Sequence, residues 1–368
     1  MAIRTPLCDL LGIEHPILQS GMGRIAGPDL VAAVSNAGGL GILAGLLRPP
    51  EELRRDIRRV RELTAKPFGV NLWLADGLLR PVDPASVAEP TMKSAQGALN
   101  AFRRELGTPE TTSAPPPLPA TVDAAFDVIL QERVPVFSAA LGDPGAERIR
   151  RCRVRGVKVI AMASTVEDAR RLAESGADAI VAQGAEAGGH RSTASKAPSR
   201  EQASIGTMPL VPQVADAVKV PVIAAGGIAD GRGLVAALAL GASGVLLGTR
   251  FVATRESMAP PFYKEAIRSR SSDDLVVTDA FTGLYARAFR NSFTEEYRGA
   301  VLPPMVQLSA AQDVYAKSAS GDGRFYPMMA GQSNGLVRDL PGAGEVIGRI
   351  AREAAEALAA LISRAGRS

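Results

Sequence analysis

Residues 221–231 read PVIAAGGIADG, and residues 232–249 continue as RGLVAALALGASGVLLGT. The first stretch opens on a short, unbroken apolar run, as expected of a strand buried on both faces. Two glycines, Gly226 and Gly227, end it. A helical segment over Asp230–Leu240 follows and stops at Gly241. A second apolar run then ends in Gly248-Thr249. These 29 residues therefore predict strands over Pro221–Gly227 and Gly244–Thr249 joined by a helix, one βαβ unit of a parallel sheet.

Outward from this unit the same alternation recurs. Strands are predicted at Pro16–Ser20, Gly39–Ala44, Pro67–Trp73, Val134–Ala140, Val157–Ala163 and Ala177–Gly184. VKVIAMA at 157–163 is as evenly apolar as the opening stretch. Helices fall between them at Asp29–Ala37, Glu51–Thr64 and Thr165–Ser175, with Asp168 placed in the first turn of the last. An Ala/Glu/Arg-rich segment, Gly344–Arg364, reads as a closing helix. Eight such strands predict an α/β chain folded as a (β/α)8 TIM barrel. No G-x-G-x-x-G follows the first strand, which argues against a doubly wound dinucleotide-binding sheet.

Two segments break the regular spacing. Residues 75–120 carry many prolines, including Pro115-Pro116-Pro117, and lie between the third and fourth strands. Residues 250–342 lie between the eighth strand and the closing helix. Both leave the C-terminal face of the barrel, where this fold builds its sites. The expected organisation is a barrel of residues 1–249 and 343–368, including the insert 75–120, with 250–342 as a substrate-pocket or lid subdomain.

Composition narrows the function classes. The 368 residues are 46% hydrophobic and 22% charged, with a net charge of +4. Aromatics make up only 4%, too few for a nucleic-acid stacking platform. The arginine-rich run from Glu51 to Arg61 is interrupted by acidic residues and reads as a solvated helix face. No stretch approaches the roughly 18 apolar residues that span a bilayer. The N-terminus lacks a signal-peptide core, so the expected location is cytoplasmic. Cys8 and Cys152 have no metal-site spacing and are expected to be reduced, buried thiols. No metal and no nucleic-acid partner is expected.

The chemistry-bearing residues gather at predicted strand ends. Gly226-Gly227 and Gly248-Thr249 end the seventh and eighth strands, the usual phosphate site of this fold, with the helix beginning near Asp230 as a further source of N–H groups. QGAEAGGHR at 183–191 ends the sixth strand and carries His190, one of only two histidines. At the barrel mouth its imidazole can serve as a base or a hydrogen-bond donor. His15 precedes the first strand at the opposite end and reads as structural. Gln19-Ser20-Gly21-Met22-Gly23 leaves room for a planar ring, and Asn71 offers an amide at the end of the third strand.

These residues resemble the nitronate monooxygenase family over nearly the whole chain. The resemblance rests on HPILQSGMG with AVSNAGGLGIL (15–43), GVNLW (69–73), AQGAEAGGHR (182–191), residues 221–251, and MAGQSNGLVRDLP (329–341). It implies FMN on the C-terminal face. Gln19, Gly21 and Met22 would contact the ring region, with Asn71 and Gln183 as polar ligands. Gly188, Gly227, Leu246, Leu247, Gly248 and Thr249 would surround the ribityl chain and phosphate, and His190 matches the family's active-site histidine. The implied reaction is oxidation of alkyl nitronates by O2. The same motifs are similar to FMN-dependent enoyl-acyl carrier protein reductase, so an NAD(P)H-dependent reduction of enoyl thioesters or quinones is the alternative. The sequence departs from both patterns at Ser192-Thr193, in the polar stretch Ser195–Ser204, and near Tyr315 and Lys317, which only roughly represent the family's pocket tyrosine and lysine. A homodimer is an allowed assembly.

Overall fold

The computed structural model describes residues 3–192 and 204–365. Of the polar stretch after Arg191, residues 193–203 lie outside the described residues. All eight expected strands are present, each shortened by a residue or more. They are β1 (Ile17–Gln19), β2 (Gly41–Ala44), β3 (Phe68–Trp73), β4 (Val136–Ala140), β5 (Lys158–Ala163), β6 (Ala179–Gln183), β7 (Val222–Ala225) and β8 (Gly244–Leu247). They pair in parallel in the order β1-β8-β7-β6-β5-β4-β3-β2. The ring closes where Leu18 bridges to Leu40, with Gln19 N–H donating to Leu40 C=O at 3.0 Å. The fold is a (β/α)8 TIM barrel.

Alternation along the strands explains the core. One set of side chains, including Leu18, Ile42, Val136, Ile160, Val181, Ile223 and Leu246, fills the barrel. The N-terminal helix Pro6–Leu11 adds Leu7 and Leu11 to that cluster and so plugs the end opposite the cavity. The other set, including Ile17, Ala161, Val222, Val245 and Leu247, meets the surrounding helices. Two of these helices begin with side-chain caps: Thr165, as its placement suggests, accepts Asp168 N–H at 3.1 Å, and Asp230 accepts the N–H groups of Arg232 and Gly233. The closing helix, Ala343–Ala365, packs along Gly231–Ala239. Cys8 and Cys152 are free and buried, and burial pushes the Cys152 thiol up to about 12.

The proline-rich insert holds more regular structure than its composition suggests. Glu89–Leu106 is a helix of 18 residues ending at Gly107 in the left-handed region. Met92, Ala95, Leu99 and Phe102 recur at helical spacing and pack with Phe281, Phe293, Tyr315 and Phe325 of the second long segment. Arg103 fastens the contact. It is 1% exposed and donates to Asp313 (2.8 and 3.2 Å), Gln96 (2.7 Å), Asn100 (2.9 Å) and the Ala310 carbonyl (2.8 Å). Within 250–342, strands Leu275–Thr278 and Ala286–Phe289 form an antiparallel pair. Ala286 and Arg287 pair in turn with the two-residue strand Gly189–His190. The end of the QGAEAGGHR stretch is thus a third strand of that sheet.

Candidate active site

One cavity opens at the C-terminal ends of the barrel strands. Gly21 and Met22 after β1, Asn71 in β3 and Gln183 in β6 line it, as do Gly188 and His190. So do Gly227 after β7, Leu246 and Leu247 in β8, and Gly248 and Thr249 beyond it. Every residue expected at the site is therefore brought together except Gln19.

Gln19 is fully buried and does not reach the cavity wall. Its Oε1 accepts Ile42 N–H at 3.1 Å, and its Nε2 donates to Ile42 C=O at 3.3 Å and to Ser20 C=O. The amide copies a peptide group and extends the short β1–β2 ladder. Its amide is thus engaged with the β1–β2 backbone and not with the cavity. Two further placements differ from expectation. The N-terminus of helix Gly231–Ala239 is filled by Asp230 and by Glu353, which accepts Gly231 N–H at 3.0 Å. It offers no N–H to the cavity. Lys317 is exposed outside the cavity, whereas Tyr315 lines it and donates to Phe281 C=O at 2.9 Å.

The glycine turns are shaped by close approach. Gly226 has φ +105° and Gly227 φ +72°, both in the region that disfavours side chains. A Cβ on Gly226 would lie 3.0 Å from Ala187 N and 3.1 Å from Gly184 O. The turn after β7 thus packs directly under the loop after β6. Neither Gly226 nor Gly227 donates its N–H to an acceptor among the described residues.

That β6 loop is held from several sides. Gln183 donates to His190 C=O at 2.9 Å and accepts Ser192 N–H (2.8 Å) and the Ser164 hydroxyl (2.9 Å). Arg191 donates to the carbonyls of Gly184 (2.7 Å) and Ala187 (2.6 Å), and Arg287 to that of Ala185 at 2.8 Å. Glu186 accepts Thr207 N–H at 2.8 Å. Burial and the neighbouring Arg287 charge lower the Arg191 pKa to about 10, which leaves it a cation at neutral pH.

His190 is oriented by this frame. Its Nε2 lies 2.8 Å from Thr282 Oγ1, and its ring meets Trp73 edge-on at 4.7 Å between centroids. Burial, then the charge of Arg191, lowers its pKa to about 4. The imidazole is neutral at pH 7. Asn71 donates to Ser138 O and Oγ at 3.1 Å, and its Oδ1 has no partner among the described residues. Opposite the barrel, Tyr263, Thr282, Leu308, Tyr315 and Tyr326 complete the wall. Thr282 and Tyr326 escape sequence reasoning, since neither sits in a motif; Thr282 lies 92 positions from the histidine it meets.

An unpartnered amide oxygen at one side of the cavity and unpartnered glycine N–H groups at another fit a heterocycle edge and an anionic phosphate, the two ends of a flavin nucleotide. Among the described residues, no His/Cys/Asp/Glu group is arranged to hold a metal ion. No helix among them is long and apolar enough to cross a membrane.

Known proteins resemble this chain over nearly its whole length. The nitronate monooxygenase family model matches residues 4–353. A probable nitronate monooxygenase of Staphylococcus aureus (strain Newman) is 37% identical over 343 residues, covering 91% of this chain and 93% of the relative. The solved nitroalkane oxidase of Streptomyces ansochromogenes superposes with a TM-score of 0.86 at 36% identity, over 96% of this chain and 99% of that one. FabK from Thermotoga maritima superposes with a TM-score of 0.76 at 35% identity, over 98% and 99%. With the barrel, the glycine turns and the histidine in one cavity, the chain belongs to the nitronate monooxygenase family, a flavin-dependent family of oxidoreductases.

Proposed function

We propose that the protein oxidises alkyl nitronates by O2 to a carbonyl compound and nitrite, with FMN as the electron carrier and His190 at the active site. The observation that carries this reading is the neutral His190 ring held in the wall of the cavity that also collects the glycine turns. FMN, when bound, supplies the redox chemistry. The protein supplies position and electrostatics. Gly226, Gly227, Gly248 and Thr249 would hold the phosphate, with Leu246 and Leu247 beside the ribityl chain, and Gly188 would contact it from the β6 loop. Gly21 and Met22 would lie against the ring, and Asn71 Oδ1 would accept from its edge. Gln183 acts through the loop it anchors.

A nitronate is a delocalised anion. His190 would donate a hydrogen bond to its oxygens, while Trp73, Leu308 and Tyr315 keep water from the reacting carbon. In this reading residues 250–342 form the pocket-closing unit, and helix Glu89–Leu106 of the insert braces it.

The test is anaerobic mixing of the flavin-loaded protein with propionate 3-nitronate, a simple nitroalkane, NADH or NADPH. Bleaching of the flavin by the nitronate alone is expected. His190→Asn should keep the flavin absorbance and lower turnover by about 10²-fold or more. Unchanged kinetics would remove His190 from the mechanism. The likeness to FabK supports a second reading, an NAD(P)H-dependent reductase of enoyl thioesters or quinones. Rapid bleaching by NADH or NADPH, with none by nitronate, selects it.

A further inference from the structure

The two ring nitrogens of His190 have different surroundings. Nε2 faces Thr282 Oγ1 at 2.8 Å. Nδ1 has no hydrogen-bond partner among the described residues, and the side chain lines the cavity. Thr282 is 5% exposed and stands in the turn between strands Leu275–Thr278 and Ala286–Phe289. Its Oγ1 receives Leu284 N–H at 3.3 Å and lies 3.4 Å from Leu284 C=O.

A hydroxyl carries one proton. At 2.8 Å the imidazole nitrogen is within ordinary hydrogen-bond range, whereas the carbonyl at 3.4 Å is beyond it. The Leu284 N–H already points at one lone pair of the oxygen. The hydroxyl proton is therefore best used toward Nε2, which must then be the bare nitrogen. A neutral imidazole has one donor and one acceptor, so the proton of the ring falls on the other nitrogen.

We propose that Thr282 donates its hydroxyl proton to Nε2 of His190 and so fixes the tautomer whose Nδ1–H faces the cavity as a hydrogen-bond donor. Thr282 is a positioning residue for the histidine, with its side chain also part of the cavity wall. A backbone carbonyl in its place would have the opposite effect. It would draw a proton to Nε2 and leave Nδ1 as an acceptor, unable to donate to an anionic oxygen. The assignment of the donor to nitronate oxygens rests on the nitronate reading; the tautomer itself does not.

The chain has two histidines, His15 and His190, so nitrogen-15 histidine labelling of the flavin-loaded protein gives a simple spectrum. His190→Asn identifies the His190 signals. At pH 7 the His190 ring should show a protonated Nδ1 and a bare Nε2. Thr282→Val should move or mix the tautomer, with flavin absorbance kept, and lower kcat/KM for a nitronate about tenfold, the scale of one charge-assisted hydrogen bond. Thr282→Ser should restore both the spectrum and the rate. A wild-type ring protonated at Nε2 overturns the proposal, as does a Thr282→Val spectrum identical to wild type. If the tautomer result holds while no nitronate reduces the flavin, the nitronate reading fails and the role of Thr282 stands.

Discussion

The two walls of the cavity are built by different means. On the barrel side, Gly226, Gly227, Gly248 and Thr249 follow directly from strands whose ladder bonds run around the closed sheet. Their positions depend on backbone only a few residues away. On the opposite side, Thr282, Tyr315 and Tyr326 come from 250–342, a region of short helices and one antiparallel pair. That wall is held by side chains: a phenylalanine-rich cluster, the Arg103 fastening and the contact from Thr282 to His190. The difference separates two tasks. A rigid backbone wall suits a cofactor that stays, and a side-chain wall suits a substrate that enters and leaves. His190 stands between them, since its loop starts from β6 and its backbone pairs with strand Ala286–Phe289.

The barrel wall is broken most directly at Gly226. Gly226→Ala would hold an L residue at φ +105° and push its Cβ against the β6 loop. Flavin retention should weaken by about five- to thirtyfold, given ~1–2 kcal/mol for left-handed strain. Absorbance of the purified protein reads this, and full yellow colour in the variant would contradict the cofactor assignment.

The other wall is broken at Arg103. Arg103→Met leaves the Ala310 carbonyl and two side-chain amides without their cation, at about 3 kcal/mol. Hydrogen exchange should rise first in 89–106 and 280–325, with flavin still bound. Uniform loosening of the whole barrel would show that the two walls are not separable.

The shared residue responds to pH. His190 has a folded pKa lowered from the 6.5 of the free group to about 4. Below pH 6.5 the unfolded chain takes up a proton that the folded chain refuses, so stability falls between pH 6.5 and 4. The loss approaches about 3 kcal/mol at 1.36 kcal/mol per unit, and there is none above pH 7. Thermal melts of wild type and His190→Asn across this window should diverge in slope, the variant being flatter. Parallel slopes would remove His190 as the source.

The smallest effect on the cavity belongs to Gln19. Gln19→Leu should cost about 1–3 kcal/mol by leaving the buried Ile42 N–H unpaired, with flavin content unchanged. Loss of flavin would return Gln19 to the cofactor site.

Much of the barrel wall is legible in the linear chain. Buried strands announce themselves as short apolar runs, and glycines mark the turns where backbone passes close to backbone. His190 is legible because it follows two glycines at a strand end. The orientation of Gln19 is not legible, for a physical reason. Its place at a strand end is visible, but the direction of its amide depends on β2 lying beside it, and that neighbour exists only once the ring has closed. Helix Glu89–Leu106 is obscured because the prolines around it dominate the composition, although its apolar spacing is helical.

The sequence by itself determined the barrel, the glycine turns and the histidine at the mouth, because strand burial and backbone sterics act over a few residues. Only the tertiary structure decided what stands opposite. The meeting of His190 with Thr282 and of Arg103 with Asp313 spans 92 and 210 positions. Contacts at that range follow from how the elements pack, and no local pattern along the chain records them.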